Sequence, residues 1–171
     1  MFVPVDEYLA TSYESPCEYV DGQLIQKALP TWQHGILQAW IASPILNLFP
    51  RFVVGSEVRA HLRPTEFRLP DILVDLPENV NSSYAERAAY LGIEILSPED
   101  RLGAMFEKCE RYHDWGVPHC WIIDPRKRKA WSYPCGGEPA NAVQELRAGE
   151  IALPMAEIFS RGVRRKSGKN G

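Results

Sequence analysis

Glu94 stands in the middle of an apolar strand, and few arrangements of a chain tolerate that. The segment Gly92-Ile93-Glu94-Ile95-Leu96 offers no solvated face on which the carboxylate could sit. A buried carboxylate is costly unless it is paired or bound to a cation. The segment therefore asks for a partner at Glu94, either an arginine such as Arg59 or a metal ion. Asp71 poses the same problem in the apolar stretch Arg68 to Asp75. In an extended chain Asp71, Leu73 and Asp75 share one face, while Ile72 and Val74 share the other. Pro70 has no backbone donor, so the ladder must be open or bulged there.

The elements around these two segments follow from local signals. Asp6 to Ala10 suits a short opening helix. Glu18 to Gln26 predicts a β-hairpin, because Asp21-Gly22 separates two alternating segments. Thr31 is a candidate N-cap for a helix whose inner face carries Ile36, Leu37, Trp40, Ile41, Ile45 and Leu48, with Pro44 expected to kink it or end its first half. Phe52 to Leu62 and Arg68 to Asp75 are each expected as one strand. Glu78 to Ala89 is a polar loop or a helical insert, and Leu91 to Leu96 a short strand. Ser97-Pro98-Glu99-Asp100 is a good helix start, and the helix stripe Leu102, Met105, Phe106, Cys109 and Tyr112 ends at Gly116. His119 to Asp124 and Ala130 to Tyr133 are strands joined by the basic turn Arg126 to Lys129, and Leu153 to Phe159 is a last short helix. This is an α/β order, a mixed sheet flanked by helices and preceded by a hairpin.

The chain has 171 residues, 45% of them hydrophobic and 24% charged, and a net charge of −3. Those values fit one globular domain over residues 1–160. The tail, 161–171, holds five basic residues and no acid, which leaves the body at −8. It is expected to be disordered, either solubilising or phosphate-binding. An acidic body excludes a general nucleic-acid sponge, so any DNA contact must come from local patches such as Arg126 to Lys129, which otherwise serve as a charged hairpin tip. No apolar run approaches the ~20 residues that cross a bilayer, and Met1 to Asp6 lacks signal-peptide character, so a cytoplasmic protein without a membrane partner is expected. Cys17, Cys109, Cys120 and Cys135 form no Cys-x-x-Cys pair. Cys109, His113, His119 and Cys120 are four residues of the kinds that bind zinc, but His119 and Cys120 are adjacent on a strand and point apart.

Two carboxylates on neighbouring strands suit a hard cation such as Mg²⁺, or Mn²⁺, which takes one or two carboxylates and keeps several waters. Such an ion polarises a phosphoryl oxygen and acidifies a bound water. A lysine beside it offsets charge on the transferring phosphate. Lys108 is the candidate. At 100° per residue it lies about 40° from Tyr112, on the shoulder of the helix stripe. The structural alternatives are an ion pair for Glu94, a turn or capping role for Asp71 and a solvated face for Lys108.

Several motifs fall in an order that resembles a known family. They are Glu18-Tyr19-Val20-Asp21-Gly22, Pro70-Asp71-Ile72-Leu73-Val74, Ile93-Glu94-Ile95-Leu96-Ser97-Pro98, Gly116-Val117-Pro118 with Trp121-Ile122-Ile123-Asp124-Pro125, and Leu153-Pro154 with Glu157-Ile158-Phe159. From Val5 to Phe159 the chain resembles the Uma-type family of putative restriction endonucleases, within the PD-(D/E)XK nuclease-like superfamily. The resemblance implies a restriction-endonuclease-like core. It implies Asp71 and Glu94 as metal-binding acids, the Ile95 carbonyl as a further ligand and Glu18 as an assisting acid. His34 matches a histidine at the start of the first long helix, with a hydrogen-bonded core histidine as its structural alternative. The superfamily lysine two residues after Glu94 is Leu96 here, and Lys108 matches the lysine that the Uma-type pattern offers on the next helix. The function implied is a Mg²⁺-dependent DNA endonuclease. The alternative is a catalytically inactive DNA-binding or regulatory module on the same fold. A homodimer would suit double-strand cleavage.

Overall fold

Asp21 and Gly22 both take positive φ, 47° and 86°, as a two-residue hairpin turn requires. They join β1 (Cys17–Val20) to β2 (Gln23–Gln26), with Glu18 opposite Ile25. The computed structural model describes residues 2–141 and 144–160, so the basic tail expected at 161–171 lies outside the described residues. The short helix α1 (Val5–Ala10) covers the hairpin sheet through Tyr8, which packs with Tyr19 and Phe67 in a small aromatic core.

The two long strands expected at Phe52 to Leu62 and Arg68 to Asp75 are both broken, and at matching points. β3 (Val53–Ser56) and β6 (Ile72–Asp75) pair in a six-stranded sheet of order β10-β9-β8-β7-β6-β3, and β4 (Ala60–Arg63) and β5 (Glu66–Arg68) pair in a four-stranded sheet of order β2-β1-β5-β4. One antiparallel hairpin thus crosses from one sheet to the other. Glu57 makes the crossing with φ 53°, and on the facing strand Pro70, next to Asp71, supplies no donor. The Glu57 N–H bonds across the gap to the Asp71 carbonyl at 3.3 Å.

The larger sheet is completed by β7 (Leu91–Ile95), β8 (His119–Asp124), β9 (Lys129–Pro134) and β10 (Ala140–Asn141). Only β7 and β8 pair in parallel among these, as the crossover through α3 (Leu102–Trp115) demands. All five residues of β7 are buried, so it is covered on both faces. On one face Ile72, Val74, Ile93 and Ile95 meet α2 (Trp32–Leu48), β11 (Glu145–Ala148), β12 (Ile151–Pro154) and α4 (Met155–Ser160). On the other, Leu73, Leu96 and Cys120 meet Cys109 and Tyr112 of α3.

Further expectations need correction. Leu153 and Pro154, expected in the last helix, end β12, and α4 begins at Met155; Leu48, expected on the inner face of α2, is exposed. Pro44 does not end α2, which runs through it while Ile41 and Ile45 are fully buried against the sheet. Ser97 does not cap α3. Asp100 Oδ2 instead accepts from both the N–H and Oγ of Ser97 at 2.7 Å, closing a separate turn, and the helix begins at Leu102. The segment from Glu78 to Ala89 is neither all loop nor a helical insert: a 3-10 turn, Pro77–Asn79, precedes a single bridge from Ala85 to Ala60. Thr31 caps α2 and Gly116 ends α3 at φ 118°, both as expected.

Candidate active site

The place where the chain changes sheets is also where the carboxylates meet. Asp71 sits just before β6, one register step beyond the Ile72–Ile93 pair and so facing Glu94. Its Oδ2 accepts the Ile95 N–H at 2.7 Å and lies 3.2 Å from His34 Nε2. Its Oδ1 lies 2.7 Å from Lys27 Nζ. Burial alone would raise the Asp71 carboxyl, but the His34 hydrogen bond and the Lys27 ammonium hold it well below the usual carboxylate range. His34 is in turn raised, chiefly by its bond to Asp71.

Glu94 projects toward α3. Tyr112 donates to its Oε1 at 2.6 Å, and Lys108 Nζ lies 2.9 Å from the same oxygen. Lys108 and Tyr112 are four residues apart on α3, so they share a face. The Tyr112 ring lies against Gly92, where an added Cβ would meet it in ordinary van der Waals contact at 3.4 Å. Burial pushes Glu94 up to about 7, against the pull of Lys108. Lys108 itself loses by burial but is held charged by Glu94 and Glu18, well above an ordinary lysine.

Glu18 reaches the group from β1. Its Oε1 is 2.7 Å from Lys108 Nζ and accepts the Leu69 N–H at 3.0 Å, and its Oε2 meets Arg68 at 3.0 Å. Burial opposes its charge, yet Lys108 and Arg68 keep its carboxyl low. Glu18, Asp71 and Glu94 are 4%, 2% and 3% exposed, so their ion pairs are shielded from bulk water. All line one cleft of about 1610 Å³ with Lys27, His34 and Lys108.

Every candidate residue is therefore in one place: Asp71, Glu94, Lys108, Glu18, His34 and Ile95. Arg59 is not the partner of Glu94, because its guanidinium lies 4.8 Å above the Tyr8 ring. Lys27, Glu57, Gln38, Arg68 and Tyr112 complete the site without having been singled out in the sequence. Gln38 Nε2 donates to Glu57 Oε1 and to the Asp71 carbonyl, both at 3.1 Å. Tyr112 carried one usable signal, since a buried phenol needs a polar partner. Lys27 and Glu57 carried none, because their positions depend on the broken strands. Arg126 and Arg128 of the basic turn border the cleft, bonded to the Pro98 and Phe159 carbonyls.

A family model described as "Uma2: Putative restriction endonuclease" matches residues 5–162. The chain belongs to the Uma2 family. A solved structure similar to this Uma2 protein is a putative nuclease belonging to DUF820 from Anabaena variabilis ATCC 29413. The two share 23% identity over 92% of this chain and 98% of that one, with a TM-score of 0.82. At that identity the likeness shows the fold alone. No curated protein matches this chain. No helix among the described residues of this Uma2 protein is long and apolar enough to cross a membrane.

The donor set fits a hard divalent ion with few protein ligands. No group of three or more His, Cys, Asp or Glu side chains stands ready as a metal cage among the described residues. The zinc constellation is thus not assembled; His113 Nδ1 instead contacts the Val117 carbonyl at 2.8 Å. What the cleft offers is oxygen from two carboxylates on adjacent chain segments. Tyr112 and Lys108 both engage Oε1 of Glu94 and leave Oε2 for another partner. His34 Nδ1 is buried without a partner among the described residues. Two carboxylate ligands plus waters is a usual set for Mg²⁺.

Proposed function

We propose that this protein is a Mg²⁺- or Mn²⁺-dependent endonuclease that hydrolyses phosphodiester bonds in DNA. The observation that carries the reading is the meeting of Asp71, Glu94 and Lys108 in one cleft of a nuclease fold. Asp71 and Glu94 would hold the ion, with the Ile95 carbonyl as a further ligand. When bound, the ion would polarise a phosphoryl oxygen and acidify a water.

The other steps belong to the chain. Asp71 enters ionised, fixed by the Ile95 amide and His34. Lys108 uses two donors on Glu18 and Glu94, which leaves its third for a phosphate oxygen or the attacking water. Its charge then offsets what builds up on the phosphate. Glu18 assists by holding the ammonium in place. Arg126 and Arg128, at the cleft edge, would take flanking phosphates.

Leu96 favours a second reading, that of a silent DNA-binding or regulatory module. It stands where the superfamily lysine would be and is buried against Cys109 and Leu73. Incubating supercoiled and linear DNA with Mg²⁺ or Mn²⁺ separates the two. Cleavage lost in Glu94→Ala, with the fold intact by circular dichroism, supports the endonuclease. DNA binding without cleavage across several metals would support the module instead.

A further inference from the structure

Lys27 is the closest cation to Asp71, and no step above uses it. It follows β2 at the open end of the hairpin, where its N–H bonds to the Pro16 carbonyl at 2.9 Å. Its ammonium has three hydrogens and meets three acceptors: the Leu69 carbonyl and Asp71 Oδ1 at 2.7 Å, and Glu57 Oε2 at 2.8 Å. Those acceptors lie on both strands of the sheet crossing, two around Pro70 and one at Glu57. With its side chain 16% exposed, Lys27 is a fixed charge, not a waving surface lysine. Burial works against that charge, but Asp71 and Glu94 outweigh it and hold the ammonium firmly protonated.

A carboxylate has about four lone-pair positions. On Asp71, Oδ2 serves the Ile95 amide and His34, and Oδ1 serves Lys27. One position remains, on the oxygen that Lys27 already holds. We infer that Lys27 is a positioning residue that sets how tightly the site takes a divalent cation. It leaves Asp71 a single open lone pair and keeps a positive charge beside it. This rests on the metal-site reading above. An ammonium a few Å from a divalent ion weakens its binding by more than about tenfold, even with strong screening by the protein. The free protein therefore carries its own counter-ion, and a substrate phosphate would restore the negative charge that the divalent ion needs.

Calorimetric titration of the full chain with Mn²⁺ alone, at neutral pH, tests this. Asp71→Asn should abolish binding. Lys27→Met should bind Mn²⁺ at least about tenfold more tightly than wild type. Lys27→Arg, which keeps the charge, should stay within about threefold. Melting curves in EDTA run alongside. A merely structural lysine would move binding the other way, loosening Asp71 and weakening Mn²⁺ as the melting temperature falls. Equal or weaker Mn²⁺ binding by Lys27→Met overturns the inference while the metal site stands. If Lys27→Met does not fold, Lys27→Gln carries the same expectation. Absence of Mn²⁺ binding by wild type, or binding that survives Asp71→Asn, overturns the metal-site reading and this inference with it.

Discussion

The Tyr112 phenol and the Lys108 ammonium grip the same oxygen of Glu94, at 2.6 and 2.9 Å, from one turn of one helix. That shared grip lets a carboxylate sit in the most buried strand of the sheet. It also leaves the second oxygen of Glu94 uncommitted by either group.

Tyr112→Phe keeps the ring against Gly92 and removes only the donor. A hydrogen bond to a charged group contributes about 1.5–3 kcal/mol. Urea unfolding of Tyr112→Phe at pH 9, above the Glu94 value of about 7, should show a loss of that order. A midpoint equal to wild type would mean that the phenol contributes nothing to holding Glu94.

Lys108→Met strips the ammonium from Glu94 and Glu18 together. Removing one partner of a buried ion pair costs about 3–5 kcal/mol. The metal-free variant should melt well below wild type, and Mn²⁺ should recover more of the loss than it adds to wild type. Differential scanning fluorimetry with and without Mn²⁺ reads both effects; a melt unaffected by the substitution would contradict the pairing.

Glu94 sits at about 7, above its ordinary value of 4.5, because burial disfavours its charge. A raised acid contributes stability that is complete below pH 4.5 and is lost as pH rises through about 7. Glu94→Gln resembles the protonated form at every pH. The melting-temperature gain of Glu94→Gln over wild type in EDTA should therefore grow between pH 5 and pH 8. A flat difference would show that Glu94 is not the group that titrates.

His34 is raised above its ordinary value of 6.5, first by its bond to Asp71. A raised base contributes stability that is present below the unfolded value and lost as pH rises through the folded one. His34→Gln should thus cost more stability at pH 6 than at pH 9. An equal loss at both values would mean that His34 acts by packing alone.

The sequence made some of this site legible and hid the rest, for identifiable reasons. Glu94 was visible because an apolar run has nowhere else to put a carboxylate. The hairpin was visible because Asp21-Gly22 has one preferred turn. Asp71 is visible as a carboxylate in an apolar stretch, but its setting is not, because alternation predicts two continuous strands where Glu57 and Pro70 break both. Alternation marks which face a residue is on; it does not mark where a strand leaves one sheet for another. Lys27 and Glu57 were hidden by that same error, since only the crossing brings them to Asp71. The start of α3 was misplaced because the Asp100 carboxylate takes both the hydroxyl and the amide of Ser97 and closes a separate turn ahead of the helix.

Glu18 and Lys27 come from the small sheet, Asp71 and Glu94 from the large one, and Lys108 from the helix behind it. The hairpin of the small sheet, β1 and β2, rests on a modest aromatic core around Tyr8, Tyr19 and Phe67, while β4 alone is tied by Ala60 and Leu62 to the cluster around α3. A unit of that kind can peel away while the larger core stays closed. Such a partial opening separates Glu18 from Lys108 and Lys27 from Asp71 without melting a single strand of the main sheet. On warming, then, the chemistry should vanish before the molecule does, and amide exchange along β1 and β2 should run ahead of exchange in β7 and β8.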